Sequence, residues 1–279
     1  MDKSCGLVHA EIIAENVVAH YKMKRVTLII FFGLITHLFY GQQKTVNLED
    51  YVRQALSDHK SKKYNSAIEK YSRILKLDTT DEIRRQVLIK RGLAYNSIKR
   101  FDLSILDFTN SIKLDSTDLA SFVDRGLAFY FNKEYNKAEI DFKFVIEKDT
   151  NERMSENSRY WLSKIEFKRG NYNQAIIYCN QLIKKNKKDA EFYFLRGSAN
   201  SNLLNYKIAI TDYDSAIKIN PNYIEALTNR GVAKINILTS KGILKPKKRQ
   251  TKSACKDLKK AYELGDKANT NDLIFIYCK

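Results

Sequence analysis

The sequence predicts an all-α fold, a solenoid of about six helix-turn-helix repeats closed by a C-terminal capping helix, and three observations carry that expectation. The 279 residues include two prolines and ten glycines, too few breakers to interrupt a largely helical chain. Hydrophobic residues make up 44%, enough for a sizeable core and outside the compositions of disordered chains. An aromatic followed three positions later by a small residue recurs as Tyr64/Ala67, Phe101/Ser104, Tyr135/Ala138, Tyr172/Ala175 and Tyr206/Ala209, with 37, 34, 37 and 34 positions between successive small residues. A period of that length marks a repeat architecture.

In chain order, the first element is an export signal or anchor over residues 23–43. Met23-Lys24-Arg25 precedes an apolar run from Val26 to Tyr40, which ends in Gly41-Gln42-Gln43. A basic start, an apolar core of about 15 residues and a polar boundary are the layout of a secretory signal peptide. The run is short for a spanning helix, which needs about 20 apolar residues. Phe39 and Gly41 match a small-x-small cleavage site poorly, so an uncleaved membrane anchor is the other reading. Residues 1–22 stand in front of this segment as a flexible leader, or as an over-extended start, since a start at Met23 would put the signal at the terminus. The expected location is the periplasm or extracellular space, or a membrane surface reached through residues 26–40.

The repeats follow. Upstream of most small residues lies an arginine-glycine pair: Arg91-Gly92, Arg125-Gly126, Arg196-Gly197 and Arg230-Gly231. The glycine and the later small residue are the close-contact points of a first helix (A) and a second helix (B). A larger side chain at either point overpacks the pair by about 1–3 kcal/mol.

These residues resemble the tetratricopeptide repeat, a 34-residue pattern of aromatic or Leu, Gly, Tyr, Ala, aromatic, Ala and Pro. Tyr193, Gly197, Tyr206, Ala209, Tyr213, Ala216 and Pro221 all fall in place between Ala190 and Tyr223. Six copies are laid out as 48–84, 85–118, 119–155, 156–189, 190–223 and 224–266, with a capping helix over 267–279. The first copy has Ala55 and the fourth Ser163 where glycine is expected, and the fourth has Cys179 at an aromatic position. The sixth carries about eleven extra residues around Lys241 to Gln250, read as a protruding basic loop. The resemblance implies a right-handed superhelix whose A helices line a concave groove.

The arginine before the repeat glycine occurs in copies two, three, five and six, and only those copies have an aspartate three residues after the small residue. Presence and absence agree within each copy, which predicts structural ion pairs Arg91/Asp107, Arg125/Asp141, Arg196/Asp212 and Arg230/Asp257, clasping helix A to helix B.

Carrying the family's groove positions onto this chain gives Val123, Leu127, Tyr130 and Phe131 in the third copy, Tyr160, Trp161, Lys164, Phe167 and Lys168 in the fourth, and Phe194 and Leu195 in the fifth. The partner-binding residues expected are Tyr130, Phe131, Tyr160, Trp161, Phe167 and Phe194, because large rigid side chains dominate interface energetics. Aromatics at helical spacing equally suit a core, and both readings stand at this point.

Four cysteines and four histidines show no metal-ligand spacing, and neither a metal nor a cofactor is expected. Cys179 occupies a core position. Cys255 lies on the last helix B, and a short capping helix after Gly265-Asp266 ends at Cys278. Two antiparallel helices bring that pair within reach of a disulfide worth about 3 kcal/mol. No nucleophile-base arrangement, phosphate loop or paired-carboxylate motif emerges, and the repeats leave no room for an independent catalytic domain. The formal charge of +17 is spread along a solvated exterior, denser at Lys184–Lys188 and Lys245–Lys252, with no nucleic-acid recognition motif. The function expected is a non-enzymatic adaptor of the cell envelope that binds a protein or peptide. A self-assembling structural component and a basic surface for an anionic envelope polymer are the alternatives.

Overall fold

A computed structural model describes residues 48–77 and 79–278; the leader and the signal or anchor expected over 1–43 lie outside the described residues. The described residues form thirteen helices and no strand. They divide into two compact units that meet in sequence at Glu134 and Tyr135. The first holds α1 (Leu48–Lys60), α2 (Tyr64–Ile74), α3 (Asp81–Ser97), α4 (Phe101–Leu114) and α5 (Leu119–Phe131). The second holds α6 (Tyr135–Lys148), α7 (Arg153–Arg169), α8 (Tyr172–Lys185), α9 (Ala190–Asn202), α10 (Tyr206–Ile219), α11 (Ile224–Thr239), α12 (Lys248–Glu263) and α13 (Lys267–Tyr277). Within each unit every helix packs on its successor in the chain.

Two local devices are reused from repeat to repeat. The turn from helix A to helix B passes through one left-handed residue, Lys62, Lys99, Lys133, Gly170 or Leu204, each with φ between 60° and 81°. The next N–H then donates back to a carbonyl of the last helical turn, as in Arg100 to Tyr95, Asn171 to Glu166 and Asn205 to Asn200, all at 2.9 Å. This closes carbonyls that a helix end leaves open. A non-glycine residue in that conformation costs about 1–2 kcal/mol, and the repeated end-capping bonds offset it. The connection from helix B to the next helix A begins with an acidic or amide side chain that folds onto its own backbone. Asp115, Asp149, Asn186 and Asn220 accept from the N–H two residues on, at 2.9, 3.1, 3.0 and 3.1 Å. Asp118 and Asp189 then accept from the first free N–H groups of α5 and α9, as helix-starting residues do.

Packing between helices A and B runs through the predicted glycines, but the side chain that meets each is the bulky residue following the predicted small one on helix B. A Cβ added to Gly92 would stand 3.1 Å from the Phe108 ring, one on Gly197 2.9 Å from Tyr213, and one on Gly231 2.8 Å from Leu258. Phe108, Tyr213 and Leu258 are fully buried. The fourth copy solves the same contact differently. Its Ser163 supplies the extra atoms, and the facing residue shrinks from an aromatic to the fully buried Cys179. The two departures from the repeat pattern therefore compensate one another. Burial pushes the Cys179 thiol up to about 12 although Ser163 hydrogen-bonds it, which leaves it an inert core group.

In the sixth copy the extra residues are divided between a longer α11, a connection over 240–247 and the start of α12. The expected loop through Gln250 is shorter than the sequence suggested. The Gln250 side chain accepts from the Lys247 N–H at 2.8 Å and so starts the helix before the insertion ends. α13 closes the second unit, tied to α12 by a disulfide between Cys255 and Cys278 with Cα atoms 5.5 Å apart. The Thr251 hydroxyl donates to the Tyr277 carbonyl at 2.9 Å.

Candidate interaction site on the A helices

Three of the arginines before the repeat glycines, Arg91, Arg196 and Arg230, each hold two neighbours. Arg91 Nε and Nη2 donate to the two carboxylate oxygens of Asp107 at 2.8 and 2.7 Å, and Nη1 donates to Ser72 Oγ on the preceding helix B at 2.8 Å. Arg196 grips Asp212 at 2.6 Å and Asn180 at 2.7 Å. Arg230 grips Asp257 at 2.5 Å and Asp214 at 2.6 Å. Arg125 Nη1 donates to Thr109 Oγ1, its counterpart neighbour, at 3.4 Å. Arg125 and Asp141 belong to different units, and that pair stays an expectation. The aspartates are almost fully buried and the arginines only partly exposed. Removing one partner would strand a buried charge at a cost of about 3–5 kcal/mol. The within-repeat clasp was legible in the sequence; the bond onto the preceding repeat was not. In the first copy, which lacks the arginine, Lys70 on helix B pairs with Asp58 on helix A at 2.5 Å, a clasp of reversed polarity.

With those side chains committed to structure, the groups left for recognition are elsewhere on the A helices. In the second unit, α7 places Leu162 and Ile165 in the core and leaves Tyr160, Trp161 and Lys164 half-buried on its other side. Glu191, at the start of α9, ties three helices together. Tyr160 Oη donates to its Oε1 at 3.0 Å, Tyr223 Oη at the head of α11 donates to its Oε2, and Lys164 Nζ lies 3.7 Å away. Lys164 also donates to Tyr160 Oη at 3.0 Å and lies 5.1 and 5.4 Å from the Tyr160 and Trp161 ring centroids. The Tyr160 and Trp161 rings meet edge to face at 5.3 Å. Phe194, half-buried on α9, lies 5.0 Å from Tyr223. Burial raises the Tyr223 phenol above its ordinary range, and the Glu191 carboxylate beside it adds to the effect. It remains a hydrogen-bond donor at any physiological pH. The result is a ledge of aromatic faces around one carboxylate and one ammonium group, with Tyr160 and Tyr223 held by hydrogen bonds. Such a surface suits an apolar side chain with a backbone or charged group beside it.

The remaining predicted contact residues sort differently. Phe167 packs edge to face on Tyr172, 5.3 Å away across the α7–α8 turn, and Leu195 is buried. In the first unit Tyr130 is 9% exposed whereas Phe131 is 47% exposed. Tyr130 is therefore corrected from contact residue to packing residue, because its side chain is almost fully buried and presents little surface to a partner. Phe131 stacks on Phe101 with centroids 5.6 Å apart.

The first unit carries a polar group that the aromatic search missed. Lys90 on α3 is 8% exposed and has no carboxylate within 4 Å among the described residues. Asp124 on α5 is half-buried, and burial pushes its carboxyl up to about 7, with Asp118 raising it further and Lys90 opposing. Burial and the same lysine hold His59 below its ordinary range. The Gln86 carbonyl oxygen nearby on α3 is buried without a partner. Gln86, Lys90 and Asp124 stand at groove positions two and six of the second and third copies, so the same register rule would have found them.

Tetratricopeptide-repeat family models match residues 157–188 and 190–223. Among solved structures, the C-terminal part of a TPR repeat-containing protein from Cytophaga hutchinsonii is 18% identical, with 80% of this chain and 94% of that one covered, at a TM-score of 0.60. A tetratricopeptide repeat protein from Parabacteroides merdae is also 18% identical, with 85% and 86% covered, at 0.59. YrrB, described as a TPR protein with an unusual peptide-binding site, is 16% identical, with 73% and 96% covered, at 0.53. At these identities the likeness is one of fold. Residues 157–188 and 190–223 are thus tetratricopeptide repeats, and the described residues share the all-α fold of tetratricopeptide-repeat proteins.

Proposed function

We propose that this protein is a non-enzymatic interaction scaffold that holds an extended peptide or a helix of a protein partner against the ledge of Tyr160, Trp161, Lys164, Glu191, Phe194 and Tyr223. The observation that carries the reading is the Glu191 junction. From α9 it holds the Tyr160 ring of α7 and the Tyr223 ring at the head of α11 while leaving both half-exposed, so less side-chain entropy remains to be lost on binding. The peptide-binding site named for YrrB adds the analogy of fold. The signal or anchor read over residues 23–43 supports an envelope setting for the partner.

The test is capture of partners from envelope fractions by the full chain and by a Trp161→Ala, Phe194→Ala variant of equal helicity. An Ile177→Ser variant on helix B, whose side chain is 47% exposed, serves as the surface control. Loss of a hot-spot ring weakens binding by about 2 kcal/mol, roughly thirtyfold. The reading requires one partner retained by parent and control and lost by the ledge variant. Equal capture by all three removes the ledge from the account, and capture of nothing but further copies of the chain replaces the scaffold with self-assembly. Protease protection in intact cells, released on permeabilisation, tests the envelope location.

A further inference from the structure

The connection between α11 and α12 and the exposed face of α12 form a patch of one sign of charge that the interaction ledge does not use. From Lys241 to Lys260 the chain holds nine basic residues and one acidic residue, Asp257. The Asp257 carboxylate is buried and already bound by Arg230 and Lys234, so it neutralises nothing at the surface. Lys260 bonds to the Pro221 carbonyl. The other eight cations are exposed and have no acidic partner within 4 Å among the described residues. Lys252, Lys256 and Lys259 follow at spacings of four and three and so share one face of α12. Thr251, Ala254, Cys255 and Leu258 bury the opposite face.

The first turn of α12 contains no acidic residue, and Lys247, Lys248 and Arg249 crowd it instead. A helix start carries positive partial charge and favours anions, so this arrangement destabilises the free protein. At the tip of the same connection Leu244 is 77% exposed, more than any other large hydrophobic residue described, with Lys241 and Lys245 on either side. An exposed apolar residue inside a field of unpaired lysines is the chemistry of a surface that meets both headgroup charge and acyl chain.

From this geometry we propose that the loop over 240–247 and the exposed face of α12 dock on the surface of an anionic phospholipid bilayer. Leu244 enters the headgroup and acyl boundary, and the surrounding lysines and Arg249 neutralise lipid phosphate. The disulfide from Cys255 to Cys278 and the Thr251 bond to Tyr277 hold the far side of α12, so the cationic face is presented as a rigid plate. The contact does not depend on the peptide ledge. A soluble anionic polymer would satisfy the lysines but leave Leu244 in water, which is why the bilayer is the better occupant.

The experiment compares sedimentation of the full chain with phosphatidylcholine vesicles and with vesicles into which phosphatidylglycerol is mixed. Any contribution of residues 26–40 is common to every protein tested and is measured by the neutral vesicles. Binding to the anionic vesicles should exceed that baseline and fall as salt is raised. A Lys245→Glu, Lys248→Glu, Lys252→Glu variant should lose about tenfold or more of the excess. Leu244→Asn, which keeps every charge, should lose about threefold or more. Both variants alter solvent-exposed side chains, and circular dichroism verifies that α12 is intact. The proposal is overturned if the charge-reversed chain binds anionic vesicles as the parent does. It is equally overturned if Leu244→Asn binds like the parent while inorganic polyphosphate or DNA displaces the protein from vesicles, since the patch would then be a polymer site.

Discussion

Transplanting the contact pair of the fourth repeat into the fifth, as Gly197→Ser with Tyr213→Cys, tests the idea that helices A and B are matched atom for atom. Gly197→Ser alone puts a Cβ 2.9 Å from Tyr213 Cε1 and 3.0 Å from Asp212 Cβ. Both neighbours are buried, so neither can retreat into solvent, and the overpacking costs about 1–3 kcal/mol. Tyr213→Cys alone empties the volume of a fully buried ring, a loss of about 3–5 kcal/mol. If the contacts were independent, the double variant would lose the sum. With the ring gone, however, the serine has no clash to relieve and occupies part of the vacated space. The double variant should therefore be about 2 kcal/mol more stable than additivity predicts, a coupling of the size found for residues in contact. Chemical denaturation of the four proteins, followed by far-ultraviolet circular dichroism, measures it. Additivity within about 0.5 kcal/mol would refute the compensation argument, and Ser163 and Cys179 would then be unrelated drifts from the repeat pattern.

Two further outcomes follow from the site geometry. Asp124 has its folded-state carboxyl raised from 3.8 to about 7, so between those values the folded chain holds a proton that the unfolded chain releases, and its stability falls as pH rises. Asp124→Asn should therefore be the more stable protein at pH 8, by about 1–3 kcal/mol after allowance for its partial exposure. That advantage should shrink by up to about 1.4 kcal/mol per pH unit as pH falls below 7, and an advantage constant from pH 8 to 5 would show that Asp124 titrates normally. Cys278→Ser opens the loop closed by the disulfide and should cost about 3 kcal/mol. Hydrogen exchange should localise the loss to α13 and the end of α12, and a reductant should reproduce it in the parent; unchanged protection of α13 would mean that Thr251 and its neighbours hold the helix without the covalent bond.

The legibility of this chain in its sequence was uneven for physical reasons. Contacts within a repeat recur at fixed spacing, so Arg91/Asp107 and Arg196/Asp212 announce themselves through their coincidence in several copies. Bonds between repeats use residues of changing type: Ser72, Thr109, Asn180 and Asp214 each accept from the following arginine, and no common letter marks them. The groove register inferred from the resemblance singles out Tyr160, Trp161 and Phe194, which the structure leaves half-buried. It could not separate the exposed Phe131 from the buried Tyr130, because adjacent positions on a helix differ by about 100° and a small rotation moves either inward. The search favoured aromatic residues and so passed over Lys90 and Asp124, whose interest lies in the charges around them.

Periodicity by itself determined that the chain is an all-α repeat protein and which charged residues pair inside a repeat, since those follow from local spacing and a single helix-to-helix contact. Tertiary structure decided the rest. It brought Glu191 to Tyr160, Lys164 and Tyr223 from three helices, and it buried Lys90 without a carboxylate beside it. It also turned the unpaired lysines of α12 outward around Leu244. Burial and charge environment are sums over residues distant in sequence, and they exist only once the helices are stacked.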